Sequence, residues 1–364
     1  MRRVVAAVVC SAVLRCVATI DIEVASERIV AQSLRWQCSG AAVAMPCPQA
    51  AKAPIFALHI PKTGGRSLWT AGEKASGQAL CDWAPMRFSH YKQSIAYSGR
   101  RDRRSVPPDF GNTSLFAEVV ASRIGDLAKN PCLTTYEAPW GAVAAFGPAT
   151  PVVMTMVREP TAWRLSVVEH GHERGRHGDA DALFDLGCFR RSRHPCDLFK
   201  RTPLLLTTIV PTVPLLLSNH GREATWARFS QWPDGGGGPW VPDVSLAEAK
   251  RHLAASVFGV TEYFEESTCL FAYQFGTYGK SKSPYSEATC DCRRRAKTTG
   301  KNRFASRAHA GNVSKRTLDA LEVLARGAEA EFHAYALDLF FGRVRAFERA
   351  TGTRLVCDDY LADV

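Results

Sequence analysis

The sequence predicts an α/β fold, a P-loop-like central parallel sheet flanked by helices, and three observations carry that prediction. Two segments about 95 residues apart each join a short apolar run to a Pro- or Gly-marked turn and then to a helical pattern. The first turn has the residues of an anion site, and the second has an arginine at the end of its apolar run. The chain has 364 residues and no internal repeat, which suits one large α/β domain.

The first junction reads IFALHIPKTGGRSLW, residues 55–69. Ile55, Phe56, Ala57, Leu58 and Ile60 form a short apolar run between Pro54 and Pro61, which suits a strand buried on both faces. Gly64 and Gly65 allow positive φ and close approach of the backbone to a ligand, and Ser67 and Leu68 open a segment predicted helical to about Ser76. Such a turn collects unpaired N–H groups and the positive end of a helix dipole, and Lys62 adds a full charge, so the expected ligand is a phosphate or a sulfate. The order of residues argues against a nucleoside triphosphatase. That loop reads G-x-x-x-x-G-K-[ST], whereas Lys62 here precedes the glycines.

HIPKTGG, with Ser67 after Arg66, resembles the 5′-phosphosulfate loop of the Golgi carbohydrate sulfotransferases, whose donor is 3′-phosphoadenosine 5′-phosphosulfate (PAPS). The resemblance implies a single sulfotransferase domain with Lys62, Thr63, Gly64, Gly65, Arg66 and Ser67 around the 5′ end of the donor. The family usually carries Thr at position 66; an arginine there either holds sulfuryl oxygens or faces solvent. The second junction, PVVMTMVREPTAWRLSVVEH at residues 151–170, is an apolar β-type run, a break at Pro160 and a predicted helix. It is similar to the family's 3′-phosphate site, which implies that Arg158 and Ser166 hold that phosphate. An arginine suits the task because its fork donates two parallel hydrogen bonds to one phosphate. Where the family commonly has a further arginine, this chain has Trp163.

Two further segments resemble family scaffold. VFGVTEYFEESTCLF, residues 257–271, looks like its GVTE strand and following helix, and FHAYALDLFFGRVRAFE, residues 332–348, looks like its C-terminal helix. Their apolar spacing is that of core elements. GKNRFASRAH, residues 300–309, occupies the place of a loop that closes over the nucleotide, with Lys301 and Arg303 as the expected contacts; a solvated basic loop is the alternative.

The first twenty residues, MRRVVAAVVCSAVLRCVATI, read as a signal peptide or signal anchor, residues 21–50 as a stem and 51–364 as the catalytic domain. Either form of leader sends the chain to the secretory pathway, and the family resemblance implies the Golgi lumen. Beyond Cys10 and Cys16 of the leader, ten cysteines remain, an even number suited to disulfides in an oxidising lumen. No pair has C-x-x-C spacing, and no metal is assigned. Cys188 and Cys196 match a local bridge of the related uronyl 2-O-sulfotransferases. Sequons at Asn112 and Asn312 fit a luminal glycoprotein.

The formal charge of +11, with clusters at Arg100–Arg104, Arg190–Arg193 and Arg293–Lys301, favours a polyanionic partner. No nucleic-acid-binding motif accompanies it, so the expected acceptor is an acidic glycan and not nucleic acid. The prolines at 203, 211 and 214 break the apolar stretch 202–217 and exclude a spanning helix there.

The implied reaction is sulfuryl transfer from PAPS to a glycan hydroxyl, most like the 2-O and 6-O enzymes of heparan-type chains. Lys62 would stabilise charge at the 5′-phosphate bridge. Placing TTYEAPWGAVAAFG on the segment before the 3′-phosphate strand puts Glu137 where the 2-O relatives carry a histidine, as general base. Tyr136 and Trp140 are the expected rings for burying it and for receiving a sugar, and His90 is the substitute base. Two alternatives stand beside this one: a protein-tyrosine sulfotransferase, and an inactive polyanion-binding protein on the same scaffold.

Overall fold

The computed structural model of the chain describes residues 23–48, 53–60, 63, 65–81, 113–136, 140–163, 165–166, 246–294, 315, 318–319, 322 and 328–357. Four strands, β1 (Ile55–Leu58), β2 (Leu133–Tyr136), β3 (Val152–Val157) and β4 (Val257–Val260), form one sheet in the order β2-β1-β3-β4. Every pairing is parallel. The expected α/β architecture with a central parallel sheet is therefore present.

β1, β3 and β4 are buried at every position, as a parallel sheet covered on both faces requires. Alternation along β1 sends Ile55 and Ala57 to one face and Phe56 and Leu58 to the other. On the first face lie α2 (Gly65–Ser76) and α6 (Phe264–Gln274), through Leu68, Ala75, Phe271 and Ala272. The second face is covered by α3 (Thr113–Lys129), the 3-10 helix Trp140–Phe146, α5 (Leu246–Ala255) and the long C-terminal α8 (Ala328–Thr351). Between α3 and α5, α4 opens at residue 160, and the short α7 (Glu287–Cys290) follows α6. Gly72 lets α2 approach the sheet closely: a Cβ there would lie 2.4 Å from Met154 Cε and 2.7 Å from Leu133 Cδ1.

The segment 21–50, expected as a stem, is part of the domain wherever it is described. Residues 23–35 form α1, and its Ala25 and Ile29, one helical turn apart, enter the main core. Ser26 accepts a 2.9 Å hydrogen bond from the indole Nε1 of Trp140. Residues 37–46 close a small antiparallel bridge beside the Cys38–Cys47 disulfide. Two side chains hold this hairpin to the domain: Gln274 Nε2 donates to the Pro46 carbonyl at 2.8 Å, and Arg343 Nε to that of Ala44 at 2.7 Å. Position between leader and first motif suggested a spacer, but the apolar i, i+4 pair had a face to bury.

Arg343 is wholly buried on α8. It also donates to the carbonyls of Ser256 and Ala254, each at 2.8 Å, and its guanidinium carbon lies 4.5 Å from the centre of the Phe258 ring. Burial pulls its pKa down to about 9, and three carbonyl acceptors with one aromatic face still hold the cation at neutral pH.

Among the described residues four disulfides fit an oxidising compartment: Cys38–Cys47, Cys81–Cys132, Cys269–Cys290 and Cys292–Cys357. Cys290 and Cys292, one residue apart, go to different partners, α6 and the chain end. Among the described residues no helix is long and apolar enough to cross a membrane. The Cys188 and Cys196 pairing, the leader and the stretch 202–217 lie outside the described residues.

Candidate functional site

In a parallel sheet, ligands bind beyond the carboxyl ends of the strands, where the chain leaves one strand for neighbours on opposite sides. Here that point lies between β1 and β3. The chain goes from β1 to β2 on one flank and returns to β3 on the other. The described residues of both sequence-predicted junctions lie at this end of the sheet: Thr63 after β1 and Arg158 after β3.

Of the first loop, Thr63 and the helix start are described. Thr63 is fully buried; its amide and hydroxyl both reach the Ile60 carbonyl, at 3.3 and 2.8 Å. Its side chain closes the turn. A threonine hydroxyl has one proton, and this one is committed to backbone. Gly65 opens α2, Arg66 follows it, and Ser67 is exposed in the first turn. Such a first turn presents free N–H groups and positive potential.

The second corner is built differently. Arg158, immediately after β3, is buried, and Ser166 lies half-buried on α4. The intervening Glu159-Pro160-Thr161-Ala162 is a capped helix start: the Glu159 carboxylate accepts from the N–H groups of Thr161, at 2.8 Å, and Ala162, at 2.5 Å. Those two amides are therefore taken by the protein's own carboxylate. They are not open to an anion, which leaves this corner the side chain of Arg158 and not its helix-start amides. Trp163 is buried beside Arg158, and the two line a small hollow with Glu329, Phe332 and His333 of α8. Burial holds the His333 imidazole below its ordinary pKa, and the nearby Glu159 opposes that.

The residues that sequence reasoning left as scaffold are Thr261 and Glu262, at the carboxyl end of β4. The Thr261 hydroxyl donates to the Thr63 carbonyl at 2.9 Å, and Glu262 Oε1 accepts from the Glu159 N–H at 3.2 Å. Burial pushes the Glu262 carboxyl above its ordinary pKa, against two backbone hydrogen bonds and the Arg158 charge, while Glu159 adds to the rise. The signal that marks them is the one that marked Arg158: polar residues directly after a wholly apolar buried strand.

Trp140 does not serve as a sugar platform. Its ring is wholly buried, stacked 4.1 Å from His252 at 7°, and faces α1 through Ser26. Lys62, Gly64, His90, Glu137, Lys301 and Arg303 lie outside the described residues. Thr63, Arg158, Thr261 and Glu262 are thus the described residues that the fold brings to one edge. Searches of the chain against protein-family models, curated proteins and solved structures found no match.

Proposed function

We propose that this chain is a luminal PAPS-dependent O-sulfotransferase of P-loop-like fold acting on an acidic glycan, in the Golgi. The observation that supports the reading is that β1, followed by Thr63, and β3, followed by Arg158, are adjacent parallel strands at the crossover point of the sheet. A nucleotide carrying a 5′-phosphosulfate and a 3′-phosphate needs two anion sites a nucleoside apart. The disulfides add an oxidising compartment, and the charge of +11 adds affinity for polyanions.

In this reading the loop amides and Lys62 stabilise the charge that grows on the leaving bisphosphate, while Arg158 and Ser166 orient the donor. Lys301 and Arg303 close over it. The acceptor oxygen forms a bond to sulfur as the bond from sulfur to the bridging phosphate oxygen breaks, and Glu137 takes the hydroxyl proton.

A second reading is an inactive polyanion-binding protein on the same scaffold: the carboxylates of Glu159 and Glu262 beside Arg158 weaken the attraction for a donor phosphate at that corner, while the net charge of +11 still favours a polyanion. Calorimetry with adenosine 3′,5′-bisphosphate, followed by incubation with sulfur-labelled donor and a panel of polysaccharides and tyrosine peptides, decides between them. The proposal expects nucleotide binding that Arg158→Ala weakens by about 1.5–3 kcal/mol, the range of a charge-assisted hydrogen bond, and label transfer to a polysaccharide. Absence of label transfer to any acceptor favours the second reading, transfer to peptides the tyrosine enzyme, and unchanged affinity in Arg158→Ala removes that residue from the site.

A further inference from the structure

β3 lies between β1 and β4 in the sheet, yet one dipeptide after β4 touches the corners that follow both of the other strands. Thr261 reaches past the end of β3 to the Thr63 carbonyl, 198 residues away in sequence. Glu262, the next residue, receives the N–H of Glu159, directly after Arg158. The β1–β3 ladder has its last pair at Leu58 and Thr155, so past that point the ladder no longer fixes how far apart the two corners stand. Thr261 and Glu262 each bond to one of these corners.

Thr261 is 1% exposed, and a hydrogen bond from a hydroxyl so buried is stronger than one in water. Glu262 is anchored through Oε1, whereas its Oε2 is buried with no hydrogen-bond partner among the described residues. A buried carboxylate oxygen without a partner lowers stability, so packing alone does not account for a glutamate here. The charged groups beside it are Arg158 and Glu159.

We propose that Thr261 and Glu262 are a positioning pair that sets the distance between the two anion subsites and thereby selects a ligand bearing two anionic groups over one bearing a single group. The proposal rests on the nucleotide reading above. A ligand held at two points gains from the second contact only when both sites stand at the ligand's own span, so a small displacement of one corner removes the gain and leaves the other contact intact.

The test uses the full chain secreted from eukaryotic cells and the variants Thr261→Val, Thr261→Ser, Glu262→Ala and Glu262→Gln. Hydrogen exchange on the nucleotide-free protein reads the corners directly: Thr261→Val should speed exchange in the peptide containing Thr63, and Glu262→Ala in the peptide spanning 159–163. Calorimetry then compares adenosine 3′,5′-bisphosphate, 5′-AMP and 3′-AMP. The bisphosphate should lose about tenfold in affinity in each of these two variants, the scale of one hydrogen bond. Thr261→Val should leave 3′-AMP within about twofold and Glu262→Ala should leave 5′-AMP within about twofold, because each loosens one corner only. Ser and Gln retain the hydroxyl and the amide oxygen and should restore the wild-type pattern. Unchanged exchange at both corners, or an equal loss for all three nucleotides, overturns the positioning role. Wild-type protein that binds none of the three while the exchange pattern holds overturns the nucleotide reading and leaves the positioning pair standing.

Discussion

Gly259 of β4 and Ser267 of α6 are in direct contact: a Cβ on Gly259 would lie 2.4 Å from the Cβ of Ser267. The serine cannot retreat freely, because its hydroxyl receives the Val260 N–H at 2.9 Å and donates toward the Val260 and Tyr263 carbonyls. Thr261 lies inside this knot, two residues after Gly259.

Gly259→Ala should therefore destabilise the fold by about 1–3 kcal/mol, as overpacking of a dense interior does. It should also weaken adenosine 3′,5′-bisphosphate more than either mononucleotide, since the strand end that holds both corners moves. Thermal melts and calorimetry check the two parts.

Arg343→Met keeps much of the side-chain volume and removes the donors to the carbonyls of Ala44, Ala254 and Ser256. Leaving such carbonyls buried without that donor should cost about 3 kcal/mol or more in total. A lower denaturation midpoint at unchanged slope is the expected result; a midpoint equal to wild type would show that water takes the donor's place.

Asp291 is buried between two bridged cysteines and accepts from the Arg293 backbone N–H, Nε and Nη2 at 2.9, 2.9 and 2.6 Å. The Arg293 side chain holds its carboxyl at about 2, below the ordinary 3.8. The folded state thus binds fewer protons than the unfolded state between these values, so the contribution is complete above 3.8 and lost as pH falls through about 2. Asp291→Asn should flatten the acid limb of the melting temperature against pH. Parallel acid limbs in the two proteins would show that the carboxylate contributes nothing there.

The four bridges use eight of the ten cysteines that follow the leader, and the two remaining are Cys188 and Cys196. They are expected to pair. Non-reducing peptide mapping of secreted protein should recover them as one linked peptide pair, and two alkylated free thiols would be the contrary result.

Glu137→Gln should retain nucleotide affinity and melting temperature while turnover falls roughly 10²–10⁴-fold, the contribution of a general base. Normal turnover in that variant together with an inactive His90→Ala would transfer the role to His90.

Sequence by itself determined the local pieces of this protein. An apolar run closed by Pro61 and a Gly-Gly turn reads as a buried strand leading into a helix, and the run before Arg158 reads the same way, because strand burial, turn and helix start all depend on residues within a few positions. Tertiary structure decided what those pieces meet. The Thr261 contact to Thr63 and the placing of Trp140 against Ser26 and His252 join residues 198, 114 and 112 positions apart, and no local pattern records such pairings. The same holds for residues 23–48, whose Ala25 and Ile29 carry an apolar face that had no visible destination until α1 lay on the core. Only long-range packing tells a tryptophan in the core from one at a site, or a glutamate on a scaffold helix from one that holds a corner, because the difference lies in neighbours that the chain brings together from far apart.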